Sequence, residues 1–266
     1  MPVIPLPDPL TKSLLNDLII PTTEAIIVGG SYARGDATPF SDVDIVHFVT
    51  APLLHADRRY MYKDNLLISL AVRTFAWYRS AITQPERAIF VVPGVREARV
   101  LADPYHRFHA FQQELHTFSW APLQEAANEH ARRVMMNGVE SVHKVLSASV
   151  RHDAAASFAE ATALYFDLTR VVAVYYGRLI DGTRSYTEHV QDAVGRGHPW
   201  VDVHQQFVAL ETQPSATPLL QQRGNIALQL YVETAGVLWS ILLEDERAVV
   251  AQAVKIIRTQ LNESAT

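Results

Sequence analysis

The sequence predicts an α/β (α+β) layer domain on a small mixed sheet, residues 1–103, followed by an all-α helical bundle, residues 104–266. Three observations predict it. Segments at 24–28, 42–49 and 66–73, rich in apolar and β-branched residues, have the length and composition of strands. Gly29-Gly30-Ser31 breaks the first run at a tight turn. After Pro104, apolar residues recur only at helical spacing: Met135, Val139, Val142 and Leu146; then Leu164, Leu168, Val171 and Tyr175; then Val250, Val254, Ile257 and Leu261. Alternation of strands and helices before Pro104 calls for a layered sheet, and the stripes after it call for helix-on-helix packing.

Each element has its own local reason. Residues 8–19 predict a first helix, with Asp8 as its cap and Pro9 at a tolerated first-turn position. The strand at 24–28 runs into the glycine turn, and Ser31-Tyr32-Ala33-Arg34 opens a short helix. Val43–Val49 forms the second strand, entered through Asp42. Helices at 53–62 and 74–82 flank the strand at 66–73, and Val-Arg-Glu-Ala-Arg-Val-Leu at 95–101 reads as a further strand that stops before Asp103-Pro104. In the bundle, Asp153 caps an Ala-rich helix, Gly177 and Gly182 punctuate its far end, and 211–218, with two prolines, forms a loop. The stripes are bundle core rather than cofactor contacts.

Composition narrows the function classes. The chain has 266 residues, 48% hydrophobic and 19% charged, as in ordinary globular proteins. It has no cysteine, which excludes disulfides, thiolate metal sites and cysteine catalysis. A net charge of −5 argues against a nucleic-acid track, which needs concentrated positive charge. The N-terminus lacks a basic region followed by an apolar core, and no apolar run has the length of a membrane span. A cytoplasmic location without membrane association is expected.

The chemistry concentrates in AIIVGGSYARGDATPFSDVDIV, residues 25–46. Glycines let backbone approach a ligand closely, and the free N–H groups after them suit phosphate. Asp42 and Asp44 stand on one face of a strand by its period of two. Adjacent carboxylates repel unless a cation lies between them, and oxygen ligands of this kind suit Mg²⁺. Asp-x-Asp alone usually marks a solvated strand end. Beside a phosphate turn it is equipment for phosphoryl or nucleotidyl transfer.

Gly30-Ser31-x-Ala33-Arg34-Gly35 with Ser41-Asp42-x-Asp44 resembles the signature of the DNA polymerase β-type nucleotidyltransferase superfamily. The resemblance implies a nucleoside triphosphate held by Gly29, Gly30, Ser31, Arg34 and Ser41, and Asp42 and Asp44 as catalytic metal ligands for Mg²⁺, with a two-ion site as one option. It further implies a small-molecule hydroxyl as acceptor, release of pyrophosphate, and leaves a homodimer open. The two-part layout resembles that of kanamycin- and lincosamide-type antibiotic nucleotidyltransferases. Leu101-x-Asp103-Pro104 is similar to the junction in those proteins, and Leu168-Thr169-Arg170 through Tyr176-Gly177-Arg178 to Ser185 is similar to one of their helical segments.

The chain departs from the family pattern at one point. A third acid is expected on the strand next to Asp-x-Asp, but 66–72 offers only Ser69 as a polar residue. Asp64 reaches the site only if that strand starts early. A base could come from Glu140, Glu160 or Asp167 in the helical half, although each is first expected to be a solvated helix charge. The rival to an active enzyme is therefore a catalytically impaired nucleotide-binding protein acting as a sensor or complex partner. His106-x-x-His109 and His198…His204 lack a carboxylate or third histidine at zinc-like spacing, so capping or surface roles are expected. His47 has the parity opposite to Asp42 and Asp44 and is expected to be packed. Trp77, Trp120, Trp200 and Trp239 are expected in core and interface positions.

Overall fold

The computed structural model describes residues 5–51, 58–208 and 216–263. The chain forms two compact units: residues 1–121 with 179–182, and residues 122–178 with 183–266.

The first unit orders as α1 (Asp8–Leu18), β1 (Thr23–Val28), α2 (Gly30–Arg34), β2 (Val43–Val49), β3 (Arg58–Lys63), β4 (Leu66–Arg73), α3 (Phe75–Ala81), α4 (Pro85–Glu97), β5 (Arg99–Ala102) and α5 (Arg107–His116). The strands form one five-stranded mixed sheet in the order β3-β4-β2-β1-β5. Only β2 and β4 run parallel; the other pairings are antiparallel. Every residue of β1 is buried, which is why its sequence is a continuous run rather than an alternation. One sheet face, with Ile26, Val28, Val43, Ile45, Ile68 and Leu70, packs on Leu10 and Leu14 of α1 and Tyr32 of α2. The other face, with Ala25, Ile27 and Phe48, packs on Phe75, Val95, Phe108 and Phe111 of α3–α5. Phe48 stacks on Phe75 at 4.5 Å between ring centroids. Asp44, Val46 and Phe48 share this second face by parity. Phe48 is sealed under the aromatic cluster, whereas Asp44, at the start of the strand, is half-open.

Among the described residues the second unit is built of helices: α6 (Gln124–Val150), α7 (Ala154–Tyr175), α8 (Thr183–Val194), α9 (Pro199–Val208), α10 (Ala216–Leu238) and α11 (Glu244–Glu263). Its core contains Met135, Val142, Leu164, Leu168, Val171, Val250 and Ile257, the centres of the three predicted stripes. Val139, Tyr175, Val254 and Leu261 sit at their half-buried margins. Gly138 lets α10 approach α6, since a Cβ there would stand 3.0 Å from the Tyr231 ring. The Tyr231 hydroxyl donates to the Met135 carbonyl at 3.2 Å. Asp153 caps α7 by accepting from the Ala156 N–H. Gly177, at φ 61, closes that helix as its N–H bonds Val174 and the Arg178 N–H bonds Ala173, leaving few orphan carbonyls. Among the described residues no helix is long and apolar enough to cross a membrane.

Four local expectations need correction. Asp8 is the first residue of α1 and not its cap; Pro7 holds the cap position. Of the expected helix at 53–62, residues 52–57 lie outside the described residues, and from Arg58 onward the chain is strand β3. The strand expected at 95–101 begins only at Arg99. Residues 95–97 are the last turn of α4, because Ala88, Ile89, Val92 and Val95 bury one helical face despite Pro93. Of the loop expected at 211–218, residues 209–215 lie outside the described residues and 216–218 already belong to α10.

Candidate active site

β1 delivers the chain to Gly29, whose N–H donates to the Asp44 carbonyl at 2.8 Å, one step beyond the β1–β2 ladder. Gly30 then turns with φ +59, a conformation that side chains disfavour. A Cβ on Gly30 would overlap Oδ2 of Asp44 and lie 3.4 Å from its Cγ. The glycine turn and the acid are thus packed against each other, so the missing side chain makes room for a carboxylate.

Asp42 precedes β2 and Asp44 is its second residue; both are half-buried. Burial raises the Asp44 carboxyl above its ordinary value, and the neighbouring Asp42 raises it further. Arg58, a hydrogen bond from Ser69 and, least, Arg34 oppose that rise. The pair is electrostatically loaded, the condition under which a divalent ion binds with most gain.

Register explains the neighbours. Ser69 of β4 lies directly beside Asp44, and Tyr60 of β3 lies directly beside Ser69. Ser69 is buried and its hydroxyl bonds the Asp44 carboxylate. The row therefore runs carboxylate, hydroxyl, phenol, with no third acid on β4. Asp64 does not supply one from the strand. It sits with Asn65 in the two-residue β3–β4 turn, both at positive φ (51 and 61), as a tight hairpin requires. Arg58, two residues before Tyr60 and on its face, donates from Nη1 to the Tyr60 hydroxyl at 3.4 Å. Arg58 and Tyr60 have no place in the sequence-predicted set. The signal that could have found them is Asp64-Asn65 between two β-forming runs, which marks a hairpin.

The remaining predicted residues are placed as follows. Ser31 lies half-buried in α2, where its carbonyl accepts from Gly35 and Asp36. Ser41 Oγ accepts from the Thr38 N–H at 2.9 Å and meets Thr38 Oγ1 at 3.2 Å, so it ties the loop that leads into Asp42. At the tip of that loop Phe40 is 99% exposed. Arg34 donates to the Asp181 carbonyl at 2.8 Å and reaches Asp36 at 3.4 Å and Glu97 at 3.9 Å. Its guanidinium is engaged by one carbonyl and two carboxylates of the first unit. In the second unit, Glu140 is exposed and pairs with Lys144 at 3.0 Å, Asp167 is exposed and Glu160 half-buried.

The histidines divide. His47 is buried and meets Thr23 Oγ1 at 2.9 Å, a packing role, and burial lowers its pKa. His198 accepts from the Trp200 N–H at 3.1 Å, a local cap. His106 and His109 do have a carboxylate, contrary to expectation: Asp103, with ligand atoms of all three within 4.8 Å of one another. That carboxylate is already occupied, accepting from the Phe108 and His109 N–H groups and from His109 Nδ1 at 2.7 Å. Trp200 is fully buried and donates to Thr234, while Trp77 is part-exposed between Arg73 and Arg87.

Residues 15–91 match the family model for a nucleotidyltransferase domain. The match contains the glycine turn, both acids and β4. A solved structure titled nucleotidyltransferase-like protein from Exiguobacterium sibiricum 255-15 is similar in fold over 94% of this chain and 79% of its own, at TM-score 0.50 and 13% identity. No curated protein matches the chain in sequence.

A carboxylate added at position 69 tests the row. Ser69→Asp places a third acid beside Asp44 in a buried position, so the metal-free protein should melt several degrees lower. Mg²⁺ should recover that loss and bind more tightly than to the wild type. Equal melting with and without Mg²⁺ would show that position 69 does not face the ion.

Proposed function

We propose that the chain transfers a nucleoside monophosphate from a nucleoside triphosphate to a hydroxyl of a small-molecule acceptor, with Mg²⁺, releasing pyrophosphate. The observation that carries the reading is the packing of Gly30 against Asp44, which brings a phosphate-suited turn and a cation-seeking acid pair into one place. The backbone N–H of Gly30 and the Ser31 hydroxyl would hold the β- and γ-phosphates, with Gly29 fixing the turn through its bond to the Asp44 carbonyl. Arg34 and Ser41 would shape the turn and the loop around them, given the partners they hold.

Asp42 and Asp44 would hold Mg²⁺, which when bound neutralises charge on the phosphates and on the leaving group. The donor set fits: two half-open carboxylates with a hydroxyl alongside. In the transfer the acceptor oxygen bonds the α-phosphorus, the bond to the bridging oxygen breaks, and pyrophosphate carries away the electron pair. The acceptor proton passes to a general base. The acceptor class rests on the resemblance to kanamycin- and lincosamide-type enzymes and on the chain's net charge of −5, which suits a cationic small molecule.

One observation favours a second reading, a nucleotide-binding protein without turnover: Ser69 occupies the place beside Asp44 where a further acid would complete the site. Pyrophosphate release with labelled triphosphates across an acceptor panel separates the two. Asp42→Asn and Asp44→Asn should each cut release on the order of 100-fold, while the metal-free melting temperature holds or rises as carboxylate repulsion is relieved. Binding without release supports the second reading, and no binding of any triphosphate with Mg²⁺ would overturn both.

A further inference from the structure

We propose that Arg58 is a built-in positive charge of this site, so that the acid pair takes one divalent ion and Arg58 stands where a second would otherwise neutralise the phosphates. The inference rests on the nucleotidyl-transfer reading for the identity of the substrate, and on the geometry of the sheet for the rest.

The register places Arg58 opposite Ala71, and Tyr60 opposite Ser69, on β4; Ser69 in turn lies opposite Asp44 on β2. By the period of two, Arg58 and Tyr60 share the face that carries Asp44 and Ser69. Strands about 4.8 Å apart put the β3 backbone roughly 10 Å from that of β2, a gap an extended arginine spans in large part. The bond from Nη1 to the Tyr60 hydroxyl directs the side chain along this row. Arg58 is the leading cation acting on Asp44, and both Asp42 and Asp44 act on Arg58 in return. Because β3 is the exposed edge strand, the guanidinium keeps its contact with water and bears little burial cost.

Charge counting then limits the ions. Two carboxylates and one guanidinium leave the site at −1, and a single Mg²⁺ brings it to +1. In the free protein a second ion would enter a positive site, and with a triphosphate bound it would find Ser69, a neutral hydroxyl, in place of a carboxylate of its own. A fixed guanidinium meets triphosphate oxygens with forked donors and needs no ligands, so it supplies positive charge where the protein provides too few acids for another ion.

The test is a Mn²⁺ titration of the full chain followed by electron paramagnetic resonance, alone and with a triphosphate analogue whose α,β-bridge is methylene. The wild type should bind one ion per chain. Arg58→Ala should bind that ion several-fold more tightly in the free protein, because a competing cation is gone, and should bind the analogue about tenfold more weakly. Arg58→Lys should restore part of both. As Arg58 is exposed on an edge strand, its substitution should leave the melting temperature in place, which separates the effect from misfolding. Two ions on the wild type, or an Arg58→Ala protein with unchanged ion and analogue affinity, would overturn the inference. One ion without transfer to any acceptor would leave it standing and remove the transferase reading alone; no ion at all would overturn both.

Discussion

Valine at position 30 is expected to abolish metal-dependent nucleotide binding. Two costs coincide there. The backbone sits at φ +59, where a β-branched residue is strained by roughly 1–3 kcal/mol. The new Cβ also overlaps Oδ2 of Asp44. The carboxylate is a side-chain tip and can move, but it is half-buried and held by the Ser69 hydroxyl, so moving it dismantles the acid pair. Gly30→Ala should therefore lose most ion affinity with a smaller loss of stability. Gly29 supplies the control. A Cβ there meets only the Asp44 Cβ, at 4.0 Å, an ordinary contact, so Gly29→Ala should retain ion binding. Calorimetric titration of Mg²⁺ with nucleotide on the three variants reads the difference, and wild-type affinity in Gly30→Val would place the phosphates elsewhere.

The second large effect lies in the helical unit and concerns acid stability. His204 is completely buried, stacked on Trp200 at 4.5 Å and on Tyr165 at 4.8 Å. Thr169 donates its hydroxyl to the Tyr165 carbonyl and so accepts from His204 Nε2 at 3.0 Å, while Gln191 Nε2 meets His204 Nδ1 at 3.1 Å. This network suits the neutral ring with its proton on Nε2; a proton on Nδ1 would face the Gln191 amide hydrogens. Burial pushes the pKa from 6.5 down to about 4. The unfolded chain then binds more protons than the folded one between those values. Stability is therefore full above about pH 6.5 and falls as the pH drops toward 4, by roughly 3 kcal/mol from this group. His47 shifts in the same direction in the first unit. Denaturant midpoints measured from pH 8 to pH 4 should fall steeply in the wild type. In His204→Leu, which begins less stable at neutral pH, the acid slope should flatten. An identical slope in both proteins would exclude His204 as the source.

The legibility of the site follows from sequence distance. Gly30, Ser31, Asp42 and Asp44 lie within one strand-turn-strand segment, so their residue types and spacing could be read together. Arg58 and Tyr60 could be read only as far as the β3–β4 hairpin that Asp64-Asn65 marks. Their nearness to the acids depends on β4 also pairing with β2, which no local pattern specifies. The same limit explains α4, where Pro93-Gly94 looks like a break, yet the buried face from Ala88 to Val95 outweighs the lost backbone bond. Arg34 shows the reverse case. Its place in the motif is local, while its partners include the Glu97 carboxylate and the Asp181 carbonyl, far along the chain.

The sequence by itself determined the class of fold, a mixed-sheet layer and then helices, because strand runs and helical stripes are local periodicities that burial enforces wherever the chain goes. It determined as well that a glycine turn precedes a paired acid. Only the tertiary structure decided what surrounds that pair: the Asp44 carboxylate resting on Gly30, the Ser69 hydroxyl bonded to it, and Arg58 on the edge strand. The charge of a site is the sum over strands brought together by hydrogen-bond register, and register is a property of the folded sheet rather than of any one segment.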